Sequence, residues 1–406
     1  MVLIGRSVYY NMIQKLISLM LVILSLLLAM LGRNSADPVQ PEDPSVPVTQ
    51  TDQTPSPFDV SIRNISKHGN VILDTSFDAL AKQDIEVGDM ITVFVGEASY
   101  DLPVGTSYTD VDSGSMICRF DQEDREVALG INMGAFATVA GIAEKLAIEE
   151  TPGYRWDINH PVIQLVLKEK YGYLDIYKAR NLQRTDNRAD YSALTDEAFA
   201  NFRAVSVSGV KANLLYRSSS PLDPAIGRNT YAMTAMEQAG IRSVINLTDS
   251  TTAMQSYQTY SGSYYSGCAA INPEMGYDFE SNAFAQKIKD CVLFILENDG
   301  PFLIHCKEGK DRTGILCAIL ECFAGASATE IAQDYMLTYS NFYGVEPDSP
   351  AYSIILNDNL VKTLCVLFGI DSLENADLKQ CATQYLRAAG LTDTQLDVLA
   401  DILVDA

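Results

Sequence analysis

The residues best suited to chemistry lie together in the run HCKEGKDRTG, where His305, Cys306, Gly309, Arg312 and Thr313 fall within one short stretch. Ionised cysteine is a strong nucleophile, and arginine carries a planar fork of donors that matches two phosphate oxygens. Six positions separate Cys306 from Arg312, a spacing that one tight loop can close around a single tetrahedral anion. The chemistry implied is attack of sulfur on a bound phosphomonoester, a phosphocysteine intermediate, and hydrolysis by water.

Such a loop needs rigid elements on both sides. PFLIHC is an apolar run of strand length, and TGILCAILECFA has helical character with Gly325 placed to stop it. A strand, a loop from Cys306 to Arg312 and a helix starting at Thr313 make an anion cradle, because backbone N–H groups and the positive end of the helix converge on one point. Gly309 lets the backbone come close without a Cβ, and the same field favours a thiolate at Cys306. His305 is expected to fix the loop through its ring N–H groups rather than to transfer protons. The Thr313 hydroxyl is placed to ease departure of the sulfur in the second step.

The flanking sequence is α/β in character from about Phe199. The helical run TYAMTAMEQAG leads into the strand IRSVINL, SNAFAQKIKDCVLFILEN has helical periodicity, and EIAQDYMLTYS and a tail from about Tyr352 continue as helices.

H-C-K-E-G-K-D-R-T-G resembles the H-C-x5-R-T/S signature of the protein tyrosine phosphatase superfamily. The stretch NFRAVSVSGVKANLLYRSSSP followed by IRSVINL is similar to bacterial tyrosine phosphatase-like enzymes with a GKDRTG loop, so the resemblance covers about 200 residues. It implies an α/β cysteine-phosphatase fold, a central and mostly parallel sheet flanked by helices, over residues 190–406. It also implies Cys306 as nucleophile, Arg312 as phosphate clamp, and Lys307, Glu308, Gly309, Lys310 and Thr313 around the bound substrate. Protein phosphotyrosine is the default substrate. Two departures from the family pattern leave alternatives open. No Trp-Pro-Asp loop precedes Cys306, so the leaving-group acid is Asp311, as in the GKDRTG enzymes, or Asp278 in NPEMGYDFE. Trp156-Asp157 lies about 150 positions too early and reads as structural. Lys307 and Lys310 match the loop lysines of phosphoinositide 3-phosphatases, which makes an inositol phosphate the alternative substrate, although Glu308 and Asp311 oppose that charge. Arg217 in LLYRSSSP supplies either rim charge or a structural ion pair. An exported binding module with an inactive phosphatase domain is a third reading, against which the intact Cys306 and Arg312 speak.

The 406 residues suffice for two domains, and a formal net charge of -23 disfavours nucleic acid as a partner. Three histidines and no zinc-type ligand spacing point to chemistry without metal or cofactor. The eight cysteines are scattered and several sit in apolar runs, which predicts reduced thiols. Arg6 and Lys15 precede an uncharged apolar stretch from Leu16 to Gly32, so residues 1–32 read as a signal peptide or a membrane anchor of an exported protein. Residues 33–57, rich in Pro, Thr and Gln, read as an extended linker that would tether the folded part to a membrane or cell wall.

Residues 58–185 read as a β-rich domain, a small barrel or sandwich, with strands in ITVFVGEASY and PVIQLVLKEKYGYLDIY and turns at DVDSGS and LPVGTS. Within it VGDMITVFV, SYTDVDSGS and ALGINMGAFATVAGI are similar to the carboxy-terminal β-domain of S-adenosylmethionine hydrolases and halogenases. The catalytic half of those enzymes has no counterpart in the sequence, so adenosylmethionine chemistry is not expected.

Overall fold

The computed structural model describes residues 55–148 and 153–405. The expected leader over 1–32, and the linker up to residue 54, lie outside the described residues.

The β-rich region closes into a barrel. Its strands are β1 (Phe58–Ile65), β2 (Val71–Leu73), β3 (Met90–Val95), β4 (Ala98–Gly105), β5 (Met116–Phe120), β6 (Val127–Ile131) and β9 (Val162–Glu169), in the spatial order β1-β2-β6-β5-β4-β3-β9. Along β3 the side chains alternate, with Ile91, Val93 and Val95 in the interior, the period-two pattern of a half-buried strand. Pairing of β1 with β9 completes the ring and leaves no open edge among its strands. A separate hairpin, β7 (Ala143–Ala147) and β8 (Tyr154–Ile158), carries Trp156, whose indole N–H donates to the Ser66 carbonyl at 3.1 Å. Trp156 is structural, as its sequence position implied.

Two local expectations fail here. LPVG belongs to β4 rather than to a turn, and Pro103 is tolerated because pairing of β4 with β5 begins only at Val104. YGYLDIY is not strand: β9 ends at Glu169, and Leu174–Arg180 forms helix α1. Asp175 in its first turn and Lys178 and Arg180 in its last match the helix dipole, a local preference that the aromatic content of the segment concealed.

Beyond the barrel lies a sheet of β10 (Arg203–Ala204), β11 (Leu215–Ser218), β14 (Phe302–His305), β12 (Ser243–Asn246) and β13 (Ala269–Ile271), in that spatial order. Only the β10–β11 pair is antiparallel. The central strand β14 is buried at every residue, which is why it reads as an unbroken apolar run. Helices α2 (Asn229–Gln238), α3 (Asn282–Glu297), α4 (Asp311–Ala324) and α5 (Ala328–Tyr343) follow the sequence-based expectations closely. Helix α4 is buried from Arg312 to Ala324 and is closed by Gly325 at φ 97°. The loop joining β14 to α4 therefore sits at the carboxyl end of the central strand, between two of the most buried elements in the fold. All eight cysteines are free thiols.

Candidate active site

From Cys306 to Lys310 every loop carbonyl turns outward to a protein donor. The Cys306 carbonyl lies 3.2 Å from Nδ1 of His305. The Lys307 carbonyl accepts from the Ser220 amide at 3.0 Å, and that of Lys310 from the Gly314 amide at 2.8 Å. Asn201 Nδ2 donates to the Glu308 carbonyl at 3.3 Å and to the Gly309 carbonyl at 3.2 Å, and Arg217 Nη2 adds a bond to Gly309 at 2.9 Å. Peptide C=O and N–H groups point in opposite directions, so outward carbonyls turn the amides toward the inside of the loop. The N–H groups of residues 307 to 310 have no acceptor among the described residues. Together with the first turn of α4 they form a nest suited to an oxyanion.

Gly309 makes this shape attainable. Its φ of 67° suits glycine, and a Cβ there would lie 2.1 Å from the Ser218 carbonyl oxygen. Gly309→Ala must displace either the loop or β11, and kcat/KM for p-nitrophenyl phosphate is expected to fall about 100-fold.

Cys306 is 3% exposed and Arg312 8%. The guanidinium donates from Nη1 to the Met275 carbonyl at 3.1 Å and from Nη2 to the Tyr277 hydroxyl at 3.0 Å, and it lies 4.6 Å from the Tyr277 ring centroid. Its Nε is buried without a partner among the described residues, as is the Thr313 hydroxyl. Both are groups that a bound oxyanion or a departing thiolate would satisfy. The Met275–Tyr277 segment was not singled out in the sequence, and a tyrosine in an acidic loop carries no signal that would have marked it. Asp278, next to it, is exposed.

His305 is fully buried, with Nε2 2.9 Å from the Tyr265 hydroxyl. Burial pushes its pKa down to about 4, so the ring is neutral. Assigned from these partners, Nδ1–H donates to the Cys306 carbonyl and Nε2 accepts from Tyr265. The ring braces the loop, as expected.

The charged loop side chains divide into two groups. Lys307 is exposed and makes no ion pair among the described residues. Glu308 meets Arg184 at 2.7 Å and Lys310 at 3.3 Å. Lys310 also lies 3.4 Å from the Tyr343 hydroxyl and 3.9 Å from Asp311. Burial disfavours charge on both, but their opposite partners more than offset it, lowering the Glu308 pKa and raising that of Lys310. Burial raises the Asp311 pKa against the opposing pull of Lys310, with Glu308 adding to the rise.

Arg217 lies 1% exposed beneath the loop and shares Asp334 with Arg203, whose Nε donates to it at 2.8 Å. Burial works against the Asp334 carboxylate, but the two guanidiniums prevail and hold its pKa far below the usual range. Of the two roles open to Arg217, the structural one is correct. Cys268 stands well apart from Cys306. Its thiol donates to the Ile241 carbonyl at 3.3 Å, ahead of β12, whereas Cys306 follows the far end of the parallel strand β14. At ~3.3 Å per residue the two lie about 15 Å or more apart, beyond disulfide reach.

Known proteins resemble this chain in part. A tyrosine-protein phosphatase of Nostoc commune is 40% identical over 53 residues, a match that covers 13% of this chain and 18% of that relative's length. Among solved structures, a cysteine-to-serine variant of P. aeruginosa TpbA in complex with pTyr is 15% identical, with 46% of this chain and 96% of that one covered at a TM-score of 0.27. The core catalytic domain of the S. cerevisiae PP-IP phosphatase SIW14, in complex with citrate, is 21% identical, with 41% and 90% covered at a TM-score of 0.26. The tyrosine phosphatase family model matches residues 197–405, which takes in the whole β14–loop–α4 unit and the residues that tie down its carbonyls. The chain belongs to the tyrosine phosphatase family.

Proposed function

We propose that the chain hydrolyses phosphomonoesters through a phosphocysteine intermediate, with protein phosphotyrosine as its substrate. The observation that carries this reading is the loop whose carbonyls are all bonded outward, leaving its amides for an oxyanion beside Cys306 and Arg312. Cys306 Sγ attacks phosphorus in line, and the bond to the leaving oxygen breaks as Asp311 delivers a proton to it. Water then attacks the phosphocysteine, Asp311 takes up a proton from that water, and sulfur departs as the thiolate with the Thr313 hydroxyl beside it. Arg312 and the amides hold the phosphoryl oxygens in both steps.

Two features favour an aryl phosphate over an inositol phosphate. Tyr277, 63% exposed, offers an aromatic surface next to the clamp arginine. Lys310, which would have served a second phosphate, is engaged with Glu308 and Asp311, so Lys307 is the one loop lysine left for an additional anion. The test is turnover of p-nitrophenyl phosphate by the full chain, with the phosphoenzyme trapped by rapid denaturation and located on Cys306. Absence of turnover rejects the assignment.

The acid role of Asp311 has a pH signature. Burial raises its pKa, so the protonated, proton-donating form persists to higher pH than in an ordinary aspartate, and the rate falls as pH rises through that pKa. Asp311→Asn is expected to flatten this alkaline limb and to lower kcat on phenyl phosphate, a poor leaving group, about 100-fold or more. An unchanged limb in Asp311→Asn, together with its loss in Asp278→Asn, would reassign the role to Asp278.

A further inference from the structure

Asp311 and Lys310 also line a cleft of 610 Å³ whose opposite wall is the β-barrel, through Thr109 and Asp112. A second hollow of 580 Å³ shares Asp112, Arg180 and Lys362 and continues along the barrel. The far side is built by the helical run Pro350–Phe368, interrupted by a π-helical segment at Leu356–Val361. The wider π turn lets the neighbouring residues Asp358 and Asn359 both reach the cleft. Asn359 Nδ2 donates to the Tyr339 hydroxyl at 2.8 Å, and Asp358 meets Lys362 at 2.5 Å.

The charges of this cleft identify its occupant. Arg180 is paired with Asp112 at 2.7 Å, Lys362 with Asp358, and Lys310 with Glu308 at 3.3 Å. Among the described residues no lining cation is left over for a polyanion. What remains is a set of amide, hydroxyl and carboxylate groups beside the rings of Tyr339 and Tyr343, which suits an extended chain of uncharged polar groups. The volume falls within the ~300–1,000 Å³ usual for ligand sites.

We infer that the cleft binds the peptide segment flanking the phosphotyrosine, so that the barrel forms one wall of the substrate site. The inference rests on the phosphatase reading above. Asp311 stands where the two regions meet, so a peptide leading away from the leaving oxygen passes from the proton donor directly into the cleft. Thr109 is exposed, and among the described residues its hydroxyl bonds only to Ser107, at 2.8 Å. A larger side chain there narrows the barrel side without disturbing a core.

The experiment uses the full chain with two substrates, p-nitrophenyl phosphate and a phosphotyrosine decapeptide with Ser, Thr and Ala flanks. In Thr109→Trp the ratio of kcat/KM for the peptide to that for p-nitrophenyl phosphate is expected to fall about tenfold. In Asp112→Asn, which leaves Arg180 only its longer 3.5 Å ion pair with Asp358, the preference for a decapeptide with Glu flanks over the neutral one is expected to rise several-fold. Ratios unchanged in both variants, with p-nitrophenyl phosphate still hydrolysed, overturn the cleft assignment and leave the phosphatase reading standing. No hydrolysis of p-nitrophenyl phosphate by the wild type overturns both. A higher kcat/KM on inositol hexakisphosphate than on the peptide, lost in Thr109→Trp, identifies a polyanion in the cleft and also overturns it.

Discussion

Cys306→Ser is expected to abolish turnover, lowering kcat for p-nitrophenyl phosphate by about four orders of magnitude or more. A serine hydroxyl is not ionised at neutral pH, and the adjacent His305 does not serve as its base, being committed to Tyr265 and the Cys306 carbonyl. The substitution leaves the amide nest intact, because the loop is held through its backbone carbonyls rather than through the sulfur. The variant should therefore still bind a phosphotyrosine peptide, with a dissociation constant within about tenfold of the wild-type KM, as read by calorimetry. Turnover equal to that of the wild type would show that the sulfur is not the nucleophile.

Arg312→Lys should cost about 1,000-fold in kcat, equivalent to ~4 kcal/mol of transition-state stabilisation. Lysine keeps the charge but loses the planar fork, so it cannot hold two phosphoryl oxygens while contacting the Met275 carbonyl and Tyr277 hydroxyl. Vanadate affinity should fall in parallel, since it reports the same geometry without chemistry. A kcat within threefold of wild type would remove Arg312 from the clamp role and point to the amides alone.

The catalytic unit was legible in the sequence because its parts are encoded locally. FLIH is apolar without interruption since β14 is covered on both faces, and Gly309 and Gly325 mark positions where a side chain would clash or the chain reverses. What holds the unit was not legible. Asn201, Arg217 and Ser220 reach the loop from roughly 90 to 110 positions earlier in the chain, and polar residues at that separation look the same whether they brace a loop or face solvent. Arg217 could not be decided from LLYRSSSP because its partner, Asp334, lies on α5, after the loop. The alternating strands were legible as a small barrel or sandwich, and the choice between the two was not, since closure depends on β1 meeting β9 across some 100 residues. The aromatic content of YGYLDIY argued for strand, and tertiary packing overrode it.

The outward bonding of the loop carbonyls has a consequence for how this protein could diversify. Its anion seat is held by bonds within the protein, and its shape is dictated from behind, by β11, Asn201 and α5. Substitutions on the opposite side, in the π turn or the barrel surface, can alter which molecule is admitted while the seat stays the same. Selectivity and reactivity are thus built on different parts of the chain and are free to drift independently.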